Sequence, residues 1–77
     1  MVFERLKILL AELFSTNEDE ITQETNLYND LYADSLDLFE LSMILEEEFD
    51  LSSKDIKQME NFRTVGEITD YIFEKIN

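Results

Sequence analysis

The segment of this chain whose residue types could do chemistry is a short serine-containing run, Asp34-Ser35-Leu36-Asp37. A serine hydroxyl can be esterified, and phosphate is favoured where the free N–H groups and the dipole of a helix N-terminus point at it. Serine at a helix start is also a common structural choice. Helix-start chemistry alone therefore leaves both a special and a structural role for Ser35 open.

Catalysis by the protein's own side chains is not predicted. The chain contains no His and no Cys, which removes the common bases, activated nucleophiles and transition-metal ligands. The carboxylates of Asp34 and Asp37 are better explained by helix capping than by acid–base work. The acid-rich segments 17–20 and 29–40 lack the alternating ligands and central glycine of an EF-hand loop, since Gly66 is the only glycine. The sequence predicts neither an enzyme nor a built metal site, and leaves open only loose Mg²⁺ or Ca²⁺ binding.

The charge of the chain limits its partners. The formal net charge is −13, and between Ile8 and Ser53 there are thirteen Asp or Glu residues and no Lys or Arg. Such a field repels phosphate backbones and anionic lipid surfaces, so we expect neither nucleic-acid nor membrane binding. It attracts basic patches, which makes a basic protein surface the expected partner.

The length indicates one small domain over residues 1–77, because a chain this short cannot build a second core. Apolar residues make up 44% of the chain, which is enough to bury a core. The apolar N-terminus is interrupted by Glu4, Arg5 and Lys7, so it fits neither a membrane span nor a signal peptide. We therefore expect a monomeric protein in the cytoplasm.

Apolar side chains lie on both faces of a helix predicted over residues 35–49. At about 100° per residue, one face carries a core stripe that consists of Leu38, Leu41, Leu45 and Phe49. On the opposite face, Leu36, Phe39 and Met43 recur at i, i+3 and i+7 among acids. An apolar strip rimmed by acids indicates a docking surface. Periodicity is equally compatible with a strip that is covered by the loop of residues 15–34.

A long helix and a long loop precede that segment. The polar run 15–17 ends the first helix, since short polar side chains compete for backbone hydrogen bonds. In the loop over residues 15–34, Ile21, Leu27 and Leu31 are spaced to hold it on the core. Loops of this length in small domains are often functional.

Capping signals place the starts of the other helices. Asp34 is the expected N-cap of the second helix, with Asp37 in the capping-box position. Ser53 is the expected cap of a short third helix over residues 54–59. Residues 64–67, Thr-Val-Gly-Glu, form a capping box that opens the fourth helix. The buried stripe of that helix should consist of Val65, Ile68, Ile72 and Ile76, with Tyr71 alongside.

No segment alternates with period two for long, so the predicted class is all-α. We expect a small four-helix bundle with a long loop between the first two helices and a short third helix.

Together these residues resemble the acyl carrier protein family. The run Asp34-Ser35-Leu36 is similar to the family's modification motif, and its continuation to residue 43 is similar to the bacterial fatty-acid type. Residues 45–50, Leu-Glu-Glu-Glu-Phe-Asp, and 64–67 are similar to the same type. The first helix and the loop that follows it fit this pattern too, so the likeness covers nearly the whole chain.

The resemblance implies that Ser35 is modified with 4′-phosphopantetheine from coenzyme A by a phosphopantetheinyl transferase, with Asp34 and Leu36 completing the attachment site. The thiol of that arm would hold acyl groups as thioesters and present them to fatty-acid synthesis enzymes. The cofactor would carry the reactive group, and the protein would supply binding and orientation. An acyl chain is expected to shelter near Leu45, Ile68 and Tyr71. The implied partner-facing set comprises Asp34, Leu36, Asp37, Phe39, Glu40, Met43, Glu46 and Glu47.

Three departures from the family's pattern bear on the site. Tyr32 stands where the family usually has Gly, shortly before the serine. Residues 52–54 replace a Pro that commonly opens the third helix, and the segment up to Thr64 is one residue longer. Phe39 is bulkier than the usual aliphatic residue, and Leu38 is more apolar than the usual small polar one.

Two alternatives stay open on the sequence. A specialised carrier for polyketide, aminoacyl or lipid-tailoring chemistry would use the same fold and the same serine. An acidic adaptor that binds a basic partner without any cofactor would need only the charge.

Overall fold

The computed structural model describes residues 1–76, which contain four α-helices and no β-strand. The helices are α1 (Val2–Leu13), α2 (Ser35–Phe49), α3 (Ser53–Met59) and α4 (Val65–Ile76), with a 3₁₀ turn at Glu18–Glu20. An isolated antiparallel bridge joins Asn26 and Thr64. The predicted all-α bundle, with its long first loop and short third helix, is confirmed.

The core draws buried apolar side chains from every helix. α1 packs against both α2 and α4, and α3 packs against α2. The buried helical residues include Val2, Leu6, Leu10, Leu41, Leu45, Met59, Val65, Ile68 and Ile72. Full burial of one such aliphatic side chain contributes about 1.5–3 kcal/mol. This core fixes the rotation of each helix and hence the side chains that α2 presents to solvent.

The predicted stripe of α4 is correct except at its end. Ile76 was expected in the core but is 52% exposed. It borders a shallow groove with Met1 and Arg5, because the last turn of α4 extends past the other core residues of the helix. Tyr71 is half-buried beside the stripe, as predicted.

The loop between α1 and α2 packs onto the bundle. Ile21 and Leu27 are buried, and Leu31 packs partly buried against the core, as their spacing predicts. The N–H of Leu27 donates to the carbonyl of Arg63 at 2.8 Å, which ties the loop to the segment before α4. The loop is therefore held towards α4.

A glycine is required where this loop meets the start of α4. The N–H of Gly66 donates to the carbonyl of Gln23 at 2.8 Å. A Cβ at residue 66 would lie 2.9 Å from the same carbonyl oxygen, which is too close for a side chain. The single glycine of the chain therefore permits the close approach of two backbones.

Capping boxes start α2 and α4 as predicted. At α2, the Asp34 carboxylate accepts the N–H of Asp37 at 2.9 Å, and the Asp37 carboxylate accepts the N–H of Asp34 at 3.1 Å. At α4, the Thr64 hydroxyl accepts the N–H of Glu67 at 3.2 Å, and the Glu67 carboxylate accepts the N–H of Thr64 at 3.0 Å. Each box satisfies helix N–H groups that would otherwise lack partners.

The predicted cap of α3 is wrong by one residue. The N-cap is Ser52, and Ser53 is the first residue of the helix. The Ser52 hydroxyl accepts the N–H of Asp55 at 3.2 Å, and the Asp55 carboxylate accepts the N–H of Ser52 at 3.0 Å. Counting three residues from Ser53 instead reaches the apolar Ile56, so only Ser52 can complete a capping box.

Candidate attachment site and docking surface

Ser35 is the first residue of α2, and its side chain is exposed. The capping box occupies the N–H of Asp37, and the N–H of Leu38 donates to the carbonyl of Asp34 at 3.0 Å. The N–H groups of Ser35 and Leu36 make no hydrogen bond within residues 1–76. A phosphate ester on the Ser35 hydroxyl would lie beside these two free donors and the positive end of the helix dipole.

The residues close to Ser35 in sequence include neither a free general base nor a cation. The carboxylates on either side, Asp34 and Asp37, are engaged in capping. The chain has no His, and no Lys or Arg occurs between Ile8 and Ser53. The segment that carries Ser35 therefore supplies no His, no cation and no carboxylate free of capping as its neighbours in sequence.

An apolar cavity of about 250 Å³ opens beside Ser35. The helices α2, α3 and α4 supply most of its apolar walls, through Leu38, Leu41, Leu45, Ile56, Met59 and Ile68. Ser42 also lines the cavity, but its hydroxyl donates to the carbonyl of Phe39 at 2.7 Å and so is already paired. Apolar cavities of about 150 Å³ bind a molecule as large as benzene, so this one has room for part of an apolar chain.

Two of the three residues near which an acyl chain is expected to shelter line this cavity. They are Leu45 and Ile68, whereas Tyr71 is not part of the lining. The ring of Phe62 lines it instead, and Tyr71 meets that ring edge-on with centroids 5.9 Å apart. Phe62 lies between α3 and α4, outside any helical period, so no sequence pattern pointed to it. The i, i+3 spacing of Ile56 and Met59 was a usable signal for the wall formed by α3.

The apolar strip on α2 is exposed. Leu36 is 64% exposed, Phe39 is 62% exposed and Met43 is 55% exposed. Since the loop of residues 15–34 packs towards α4, it does not cover the strip. The structure thus excludes the alternative in which these side chains belong to the core.

Acids surround this strip without cations of their own. Asp34, Glu40 and Glu47 are exposed, while Asp37 and Glu46 are half-buried. Within residues 1–76, no ion pair involves any of these five acids. Their uncompensated charge makes the rim of the strip attractive to a basic surface.

The neighbouring acid Glu48 serves a different purpose. Its carboxylate accepts from the Arg5 guanidinium at 2.6 Å and 3.2 Å, which joins the end of α2 to the start of α1. This hydrogen bonding lowers the pKa of Glu48 below its usual value. Glu48 therefore stabilises the contact between α1 and α2, and it does not belong to the group of acids that surround the strip.

A buried carboxylate links α3 to α4, and the sequence pattern missed it. Asp55 is buried, and besides capping α3 it accepts the Tyr71 hydroxyl at 2.9 Å and the Lys75 ammonium at 3.2 Å. The Ser52 N–H, the Tyr71 hydroxyl and the Lys75 ammonium together hold the pKa of Asp55 at about 2, although burial acts in the opposite direction. This network fixes the α3 wall of the cavity against α4. The Ser-x-x-Asp spacing revealed the cap, but nothing local revealed the partners on α4.

Tyr32 lies three residues before Ser35 in an unusual conformation. Its φ is 57°, in the left-handed region that glycine adopts most readily. Tyr32 therefore keeps a backbone conformation suited to the Gly that the resemblance places there. Its ring is 82% exposed.

The part of the chain that the structure describes offers neither a metal site nor a membrane span. No group of three or more His, Cys, Asp or Glu side chains there is arranged to hold a metal ion. Among the same residues, no helix combines the length and the apolar character needed to cross a bilayer.

Comparison with known proteins agrees with the motif. A sequence profile of the family described as "Phosphopantetheine attachment site" matches residues 4–72. Acyl carrier proteins from three type A strains of Clostridium perfringens are each 48% identical to this chain over 73 residues, which is 95% of this chain and 95% of each relative. An adaptor that never bears a cofactor is therefore not supported. The chain belongs to the acyl carrier protein family, whose members carry acyl groups on attached phosphopantetheine and are not themselves enzymes.

Proposed function

We propose that Ser35 is the attachment residue for 4′-phosphopantetheine, with Asp34 and Leu36 completing the site, and that the arm carries acyl intermediates of type II fatty-acid synthesis. One observation carries this proposal. The exposed hydroxyl of Ser35 lies on the first turn of a capped helix, beside free N–H groups and at an apolar cavity.

The other four serines of the chain lack this combination. Ser42 lies in the middle of α2, and Ser52 uses its hydroxyl to cap α3. Ser15 follows the end of α1. Ser53 is also the first residue of a capped helix, but it does not line the cavity, which makes it the closest internal comparison.

The transfer itself would divide its requirements between two proteins. The Ser35 hydroxyl oxygen would attack the phosphorus of coenzyme A that bears pantetheine, the pyrophosphate P–O bond would break, and adenosine bisphosphate would leave. A base of the transferase would take the hydroxyl proton, since the chain offers none at this site. The free N–H groups of Ser35 and Leu36 would then bind the new phosphodiester.

The cavity beside Ser35 would shelter part of the acyl chain. Burial of each methylene contributes about 0.8 kcal/mol, so a medium-length chain gains enough to favour the inside of the bundle. Amide hydrogen exchange around Leu45 and Ile68 should then be slower in the acylated protein than in the unacylated one. Equal exchange in both forms would mean that the chain stays outside.

The docking surface would present the arm to its enzymes. The transferase and the fatty-acid synthesis enzymes would bring basic patches to the acidic rim and cover the apolar strip. The proposed partner-facing residues are Asp34, Leu36, Asp37, Phe39, Glu40, Met43, Glu46 and Glu47. The same proposal takes residues 1–77 as one carrier domain that acts as a monomer in the cytoplasm.

Intact-mass measurement after incubation with coenzyme A and a phosphopantetheinyl transferase tests the attachment site. Wild type should gain the mass of one phosphopantetheinyl group, and Ser35→Ala should gain none. Ser53→Ala is the matched control, because it removes a serine from the same position of another capped helix and should leave the gain intact. A mass gain that survives in Ser35→Ala would overturn the assignment.

A further inference from the structure

We propose that Tyr32 is a docking residue for the transferase that modifies Ser35, and that its ring binds a cationic side chain of that enzyme. This inference rests on the proposed function of Ser35. It concerns a residue outside the partner-facing set on α2, and it begins from the conformation of Tyr32.

The side chain of Tyr32 makes no packing contact with the core of the protein. Tyr32 is 82% exposed and is not among the apolar residues that pack against the core. Its φ of 57° lies in the left-handed region, which a residue with a Cβ adopts only at a cost and glycine adopts freely. A large ring in a strained and exposed position is better explained by contact with another molecule than by folding.

The backbone around Tyr32 is nevertheless held in place. On one side, the N–H of Leu31 donates to the carbonyl of Asn26 at 3.2 Å. On the other side, the N–H of Ala33 donates to the carbonyl of Leu27 at 2.9 Å. The ring is therefore attached to an ordered segment, and a partner does not have to order that backbone on binding.

Distance places Tyr32 close to the point that an enzyme acting on Ser35 has to reach. Three residues of chain span at most about 11 Å, so the Cα of Tyr32 lies within that distance of the Cα of Ser35. Even a small transient interface covers about 600 Å² on each partner, which corresponds to a patch of roughly 14 Å in radius. The backbone of Tyr32 therefore lies within a footprint of that size centred on Ser35.

The local charge favours a cationic occupant. Asp30 and Asp34 flank Tyr32 two residues away on either side, and both are exposed. The loop has no Lys or Arg of its own, and Arg63, the cation that reaches it, lies over the ring of Tyr28. An Arg or Lys of the transferase could lie on the face of the Tyr32 ring while the adjacent carboxylates attract it, and desolvation at the interface would strengthen that contact.

The test compares kcat/KM for modification by the transferase with coenzyme A, together with the Kd of the apo protein for the transferase and its Tm. Tyr32→Gly removes the ring and relieves the left-handed strain, so kcat/KM should fall about tenfold and the Kd should rise, while Tm should not fall. Tyr32→Phe should stay within about twofold of wild type, because the π face remains. Tyr32→Leu keeps an apolar side chain without a π face, so its kcat/KM should fall nearly as far as that of Tyr32→Gly.

Asp50→Gly is the matched control. Asp50 also has a left-handed φ, of 54°, but it lies at the far end of α2, about 22 Å from Ser35 by helical rise. That change should leave kcat/KM within about twofold of wild type, since residue 50 falls outside the footprint.

The outcomes separate the two proposals. Equal kcat/KM and Kd for wild type and Tyr32→Gly would overturn the docking role of Tyr32 while leaving Ser35 as the attachment site. A Tyr32→Leu variant as active as wild type would overturn the cationic occupant. A wild-type protein that gains no mass would overturn the attachment site and, with it, the role of Tyr32.

Discussion

The two faces of α2 carry the same kinds of side chain in opposite surroundings. On one face, Leu41 and Leu45 are buried in the core. On the other, Leu36 is 64% exposed and Met43 is 55% exposed. Both faces are apolar, so hydrophobicity alone does not distinguish a residue that is buried in the core from a residue that stays exposed. The packing of the neighbouring elements makes the distinction.

The capping box at Asp34 and Asp37 connects the two faces. It fixes the first residue of α2, and packing of the core face fixes the rotation of the helix. The opposite strip and Ser35 are then directed outward together. Stabilisation of the fold on one face thus positions the proposed attachment site and the proposed docking surface on the other.

The largest expected effect would come from truncating the core face. Leu45→Ala should lower the free energy of unfolding by about 2–5 kcal/mol, because it removes a buried side chain and leaves a cavity. Met43→Ala, on the opposite face of the same helix, should change it by less than about 0.5 kcal/mol. Urea denaturation measures both values. Equal losses would mean that the two faces do not differ in their contribution to folding.

The sequence predicts α2 well because its signals are local. The Asp34 to Asp37 spacing gives the first residue, and the periodicity of Leu41 and Leu45 gives the core face. Whether the strip is exposed could not be predicted, because this depends on the path of a twenty-residue loop. Backbone hydrogen bonds to Arg63 and from Gly66 direct that loop towards α4. No periodicity within α2 records those contacts.

Two other features of the structure could not be predicted from the sequence for a similar reason. Asp55 and Tyr71 are sixteen residues apart, and their hydrogen bond forms only when α3 packs near α4. Ile76 continues the apolar period of α4 past the residues that could cover it. The α3 cap, by contrast, could have been found. Of the two adjacent serines, Ser52 is followed three residues later by an acid, whereas Ser53 is followed by Ile56.

Acid should remove the stability that the buried Asp55 carboxylate contributes to the fold. The pKa of Asp55 is about 2 in the folded protein, below its usual value of 3.8, chiefly because the Ser52 N–H and the Tyr71 hydroxyl donate to it. A carboxyl whose pKa is lowered by folding contributes stability above its unfolded value and loses it as the pH falls through the folded value. That contribution should therefore disappear between about pH 4 and pH 2.

The variant Tyr71→Phe measures this contribution while retaining the ring that meets Phe62. The difference in unfolding free energy between wild type and Tyr71→Phe should be largest above pH 4 and should shrink towards pH 2. Tyr28→Phe removes a hydroxyl that does not bond to Asp55, so its difference from wild type should not follow this course. A Tyr71→Phe difference that is independent of pH would contradict the assignment.

A smaller effect is expected from the charges around the strip. Glu47→Lys should slow association with the transferase a few-fold and flatten its dependence on salt, while dissociation changes little. Glu74→Lys makes the same charge change at an exposed position of α4 and should have less effect on association. Stopped-flow mixing at several ionic strengths measures both rates. Equal slowing by the two variants would assign the effect to net charge rather than to the rim.

We propose that α2 divides into a face that folds the protein and a face that binds its partners, and Phe39→Ala is the variant that separates the two. Phe39 is 62% exposed and lies in the middle of the strip, where it also borders the apolar cavity. Measured on one preparation, Tm should stay near the wild-type value while the apo protein dissociates faster from the transferase. The expected loss of binding free energy is over about 1 kcal/mol. A substantial fall in Tm with unchanged partner kinetics would show that the strip belongs to the core and would contradict the claim.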